Sequence, residues 1–292
     1  MEIIRKSFIA LSMLVMTCAA AAMPKVYDIS SPDGTLSAQV SVDQGKITWS
    51  VTKEGNLVLS PSEIAMQLAD GTAYDGAVKL QKTIRSAVDN VLDAPFYKKS
   101  QVKEAYNQLQ LRFKTFDLEF RAYDAGVAYR FVSKSKVPFK VAGETARFAF
   151  PEDWMMCVPY VCQHTETLES QYYNSFENRY EHTPLSQWNK ERIAFLPIMV
   201  ETPQGYKINI MESDLLNYPG MYLYNSDADS VLEARYAPYP KDIKQGGHNS
   251  LQGVVQTRED YLAKYDGAVS FPWSILSVSV QDNEMLDNDL VW

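Results

Sequence analysis

Three groups of side chains in this 292-residue sequence are of types that carry chemistry. The stretch Ser175–Ser186, SFENRYEHTPLS, places the carboxylates of Glu177 and Glu181 and the imidazole of His182 in one short segment. By residue type alone Glu177 reads as a solvated surface glutamate. Further on, MESDL carries Glu212 and Asp214. Two apart on a strand they would share a face. Ser213 and Asp214 also precede Leu215-Leu216 in N-cap fashion, as a turn or loop cap would, so both readings stand. The third group is Cys157, Cys162 and His164, spaced C-x4-C-x-H with no fourth ligand at a zinc spacing. Free thiols in a core rank first there, a small disulfide ring second, and a metal last. His164, His182 and His248 are too few and too scattered for a histidine-based metal site, and no phosphate-cradling glycine loop is present. Around these groups crowd Trp154, Tyr160, Tyr172, Tyr173, Tyr180 and Trp188, rings that stack on pyranoses or fill a core.

The framework that must position them is written in period two. Leu36, Ala38, Val40 and Val42 alternate with Ser37, Gln39 and Ser41. Ile47-x-Trp49-x-Val51, Leu109-x-Leu111-x-Phe113, Phe116-x-Leu118-x-Phe120 and Val127-x-Tyr129-x-Phe131 repeat the pattern. Late in the chain, Tyr206-x-Ile208-x-Ile210 and Leu276-x-Val278-x-Val280 do the same. Such alternation predicts half-buried antiparallel strands. Pro32-Asp33-Gly34, Glu54-Gly55-Asn56, Asp124-Ala125-Gly126 and Pro203-Gln204-Gly205 supply the turns between them. An all-β, large two-sheet antiparallel sandwich is the expected fold. Residues 151–192 and 236–266 break the rhythm, the second reading as a long loop with Pro238, Pro240, Gly246 and Gly247. Binding residues collect on loops of this kind.

Lys and Arg total 28 against 36 Asp and Glu, a net charge of −8 that argues against nucleic acid as a partner. Arg5 and Lys6, the apolar run Phe8–Val15 and the small residues Ala19–Ala22 form a secretory signal over residues 1–22, with cleavage before Met23. Export to the periplasm is the expectation, with a lipid-modified Cys18 as the lesser alternative. No segment is long enough for a membrane span.

Five strings taken in order carry a family resemblance: SPDGTLSAQVSV, FRAYDAGVAYRF, SFENRYEHTPLS, MESDLLNYPGMYL and FPWSILSV. Together they resemble the amino-terminal domain of glycoside hydrolase family 97, exported bacterial α-glucosidases and α-galactosidases. The resemblance runs from about Ser30 to Trp292. It implies a β-super-sandwich of the galactose-mutarotase-like kind over 23–292, which in the family precedes a catalytic (β/α)8 barrel. A barrel needs roughly 250 residues, so it is expected to be absent here, leaving this chain inactive alone. The family's Pro-Trp-Arg stands here as Pro272-Trp273-Ser274, which removes an arginine from the junction.

The same resemblance implies that Glu177, or Glu181 one register on, gives a ligand to a calcium ion shared with the barrel. The chain alone would then bind calcium weakly or not at all. It further implies an α-linked oligosaccharide as substrate, the enzyme's own barrel as partner, and substrate or interface roles for Glu212, Asp214, Trp154 and Tyr180. A stand-alone carbohydrate-binding module is the rival. A sugar mutarotase is a third reading, and it needs a histidine and a glutamate converging in one cleft.

Overall fold

The computed structural model describes residues 24–162, 167–173, 176–225 and 230–292. Two antiparallel sheets face each other. In the first, Lys25–Ser30, Leu36–Asp43, Lys46–Lys53, Asn56–Leu68, Phe139–Ala149, Val231–Tyr236 and Met221–Tyr224 lie side by side in that order. The second runs Glu181–Pro184, Met155–Val158, Ile198–Glu201, Lys207–Ser213, Trp273–Ser279, Gly126–Ser133, Phe116–Tyr123, Gln101–Phe113 and Leu80–Asp93. The two-sheet sandwich expected from the alternation is present, and the alternating positions face inward. Leu36, Ala38, Val40, Ile47, Trp49, Val51, Leu109, Leu111, Phe113, Leu118, Phe120, Val127, Tyr129 and Phe131 are all buried. Only Val280 of the residues assigned to an inner face is exposed, because its strand ends at Ser279.

Trp49 sits at the centre of the core. Its ring lies 5.3 Å from Tyr129 and 6.0 Å from Phe120 on the opposite sheet, and 6.4 Å from Phe148 on its own. Edge-on and tilted aromatic contacts at these separations add to the area that the rings bury. At the hairpin between Lys46–Lys53 and Asn56–Leu68 the turn needs two residues of positive φ, Glu54 at 50° and Gly55 at 81°, and Gly55 makes that conformation accessible.

The region 236–266 is not a long loop. Pro240–Gly246 and Gln252–Arg258 pair as a two-stranded arm outside both sheets, and Ala263–Tyr265 joins the edge of Phe139–Ala149. Its prolines and glycines punctuate the arm rather than dissolve it: Pro240 opens the first strand and Gly246-Gly247 ends it. Arg258 ties the arm down, its Nε donating to both oxygens of Glu169 at 2.7 and 2.8 Å. Cys157 is half-buried and Cys162 exposed, both free thiols. Cys162 is therefore not a core thiol, and His164 and Cys18 fall outside the described residues. Among the described residues no helix is long and apolar enough to cross a membrane.

Candidate functional site

Glu177 follows a short helix, Leu168–Tyr172, and precedes the edge strand Glu181–Pro184 of the second sheet. It is exposed, and no described side chain pairs with it. Its neighbour Phe176 anchors the loop, packing 5.1 Å from Tyr180 and 6.2 Å from Phe195. Phe195 meets Tyr222 at 5.2 Å, and Tyr222 meets Tyr172 at 5.5 Å. An aromatic row thus runs from the Glu177 loop towards the base of the arm. Tyr180 keeps about half its surface open (47%), which leaves a ring available for stacking.

Glu181 is exposed, and Arg192 Nη1 stands 3.5 Å from its carboxylate. Arg192 is itself buried, with its guanidinium over the Tyr160 ring and Nη2 donating to Val161 O. Glu181 therefore faces a fixed cation, and Glu177 does not. Of the two carboxylates, Glu177 is the one available to an incoming ion. His182 Nε2 lies 3.0 Å from Glu201 across the sheet edge.

Trp154 is placed in the core at 7% exposure, 6.0 Å from Phe150, with no free face. Glu212 and Asp214 do not share a face. Glu212 follows Ile208 and Ile210 on the inner side of its strand, and both its oxygens accept from Met221 N–H at 3.2 and 3.1 Å. Asp214 lies past the strand end with φ of 59°, which turns it outward to Arg130 Nη1 at 3.7 Å. No helix begins at Asp214; the residue sits in a turn, with Leu216 N–H donating to Asp214 O at 2.9 Å.

A second carboxylate, which sequence reasoning passed over, meets Glu212 inside the sandwich. Glu144 stands opposite Met66 on the inner face of the first sheet and accepts from the Tyr218 hydroxyl at 2.6 Å. On the facing sheet Glu212, Ser274 and Tyr129 stand directly opposite one another on adjacent strands. Burial pushes the Glu144 carboxyl up to about 7, partly offset by the Tyr218 and Tyr236 hydroxyls and reinforced by the charge on Glu212. Burial also raises Glu212 to about 7, partly offset by the Met221 N–H. Both carboxyls are thus held well above the ordinary carboxylate range, among tyrosine hydroxyls. The described histidines, His182 and His248, lie on the sheet edge and at the tip of the arm. His182 meets a glutamate, Glu201, on the exposed edge of the sheet.

The outer face of the second sheet differs again. Trp273 lies between the guanidiniums of Arg121 and Arg130, 4.6 and 4.3 Å from its ring. A cavity of about 890 Å³ opens beside it, under the C-terminal segment, lined by Arg121, Asp214, Ile275, Leu290 and Trp292 among others. Among the described residues no group of three or more His, Cys, Asp or Glu could hold a metal. Calcium takes six to eight oxygens. No such set is gathered among the described residues; the Glu177 loop offers one exposed carboxylate.

The profile described as Glycosyl-hydrolase 97 N-terminal matches residues 29–292. This chain belongs to that family. A retaining α-galactosidase of Bacteroides thetaiotaomicron is 43% identical over 268 residues, covering 91% of this chain and 40% of that protein. A probable retaining α-galactosidase of Streptomyces bingchenggensis is 27% identical over 168 residues, 54% of this chain and 26% of its own length. The chain thus spans well under half the length of these curated relatives. Among solved structures, a family 97 enzyme of Pseudoalteromonas sp. strain K8 in complex with panose superimposes with a TM-score of 0.72 at 18% identity, over 90% of this chain and 37% of that one. A β-arabinopyranosidase superimposes at 0.69 with 19% identity, over 87% of this chain and 40% of that one. These two likenesses establish the fold of a family 97 N-terminal domain, a β-sandwich.

Proposed function

We propose that this chain is the N-terminal sandwich of an exported, retaining α-galactosidase-type enzyme, and that its Glu177 loop completes the wall of a pocket whose catalytic residues lie in the following barrel. The observation that carries the reading is the 43% identity to a retaining α-galactosidase across 91% of this chain. Glu177 supports it as an exposed carboxylate without a cationic partner, beside the open ring of Tyr180. In this reading Glu177 gives one ligand to a calcium ion whose other oxygens come from the barrel, and the sandwich alone hydrolyses nothing. The substrate class is an α-linked galactoside within an oligosaccharide.

The test joins residues 23–292 to the remainder of the Bacteroides retaining α-galactosidase in one polypeptide. The joined protein should release product from an aryl α-galactoside, while neither part does so alone. A joined protein that folds yet cleaves no α-glycoside would overturn the reading. Export is tested by intact mass: maturation before Met23 is expected, and a diacylated Cys18 would replace it with the lipoprotein reading.

A further inference from the structure

The end of the molecule opposite in character to the Glu177 loop is the tip of the long hairpin Leu80–Asp93 and Gln101–Phe113. Its closure is rigid: Ala94 N donates to Ser100 O at 2.8 Å and Tyr97 N to Ala94 O at 3.2 Å. That geometry leaves Phe96 wholly in solvent, at 104% exposure. Next to it the tip grips the C-terminal segment. Lys98 Nζ donates to Leu286 O and Asn288 O at 2.7 and 3.0 Å. Lys99 Nζ donates to Asp287 O at 3.1 Å and pairs with the Asp287 and Asp289 carboxylates at 2.8 and 2.6 Å. The Tyr97 hydroxyl donates to Asp289 at 2.8 Å, and its ring lies 5.8 Å from Trp292.

This clamp consumes the local charges on each other and leaves apolar groups outside. Leu286 is 83% exposed, Val291 45% and Trp292 47%, on the segment gripped beside Phe96. Trp273, by contrast, is sealed beneath Leu290. Exposed apolar groups gathered at one place mark an interaction surface. With its lysines and aspartates mutually paired, the surface fits an apolar partner better than a charged or sugar ligand. The family matched is an N-terminal one, the match reaches residue 292, and the chain covers only 40% of its 43% identical relative. In such a protein the next residues leave from this place.

We propose that the hairpin tip and the clamped C-terminal segment form the seat on which the polypeptide following Trp292 packs in the full-length enzyme, with Phe96 as the central anchor. The lysine clamp fixes the direction in which the chain leaves the sandwich, and the 890 Å³ cavity beside it gives room for an inserted side chain. This inference rests on the proposed function above.

Hydrogen exchange on the joined polypeptide, compared with the 292-residue chain, tests it. Amides at 94–99 and 286–292 should exchange at least about tenfold more slowly once the following domain is attached. Phe96→Ser, at a fully exposed position that the sandwich core does not use, should abolish that protection in the joined protein while leaving exchange in the core strands unchanged. Protection of the Glu177 loop without protection of the tip overturns the seat and leaves the proposed function standing. Absence of protection anywhere, together with an inactive joined protein, overturns both. Protection of the tip already present in the 292-residue chain and rising with its concentration assigns the surface to a second copy and also overturns the proposal.

Discussion

The same two sheets enclose two very different interiors. Around Trp49 the space between them is filled by the rings of Tyr129, Phe120 and Phe148. At Glu144 and Glu212, one carboxyl from each sheet enters the same interior among Tyr218, Tyr236 and Tyr129. Tyr129 belongs to both regions. The apolar half pins the sheets together regardless of pH, whereas the carboxyl-bearing half holds them together best when its protons are in place. A single sandwich therefore carries a fixed end and a proton-sensitive end.

Removing the ring at the fixed end should have the largest effect. Trp49→Ala leaves a cavity among three aromatic side chains and should cost about 3–5 kcal/mol, read as a lowered denaturant midpoint at any pH. A loss under about 1 kcal/mol would show that the core does not depend on this residue.

At the other end the effect depends on pH. Glu144 and Glu212 are both raised to about 7 from an ordinary value of 4.5. The native state then binds more protons at these two groups than the unfolded one between those values, so their contribution to stability is greatest below about 4.5 and is lost as the pH rises through 7. Each group contributes up to about 3 kcal/mol to that slope. Glu144→Gln should flatten the curve and make the protein more stable than wild type at pH 8–9, because an amide carries no charge to bury. Unchanged slopes in both Glu144→Gln and Glu212→Gln would contradict the shared interior.

The smallest effect is expected outside both interiors. Glu177→Gln in the 292-residue chain should change stability by no more than about 0.5 kcal/mol, as at most exposed sites. Thermal unfolding checks it, and a larger loss would mean that Glu177 supports the sandwich itself.

The contrast between the ends was only half legible in the amino-acid sequence. The fixed end is spelled out by alternation, since Ile47, Trp49 and Val51 declare their face by period alone. Glu144 is hidden because the strand Phe139–Ala149 shifts register between Val141 and Gly143. One extra residue decides which face a side chain takes, and no local pattern reveals it. Glu212 and Asp214 share parity, yet the positive φ at Asp214 separates them. The arm at 240–258 was missed because it is mostly exposed on both sides and shows no apolar period. The partners of Lys98 and Lys99 lie about 190 residues away, beyond the reach of any local pattern. The family strings did bring attention to Glu177, whose chemistry no spacing rule would have isolated.

The most direct test of the account is Glu177→Gln in the joined polypeptide, with activity on an aryl α-galactoside and calcium titration measured on the same preparation. The account predicts that the rate falls by at least about tenfold and that calcium binds more weakly, while the same change in the sandwich alone alters neither folding nor calcium binding. A mutant that keeps both its rate and its calcium affinity would contradict the claim that this domain completes the active site through Glu177.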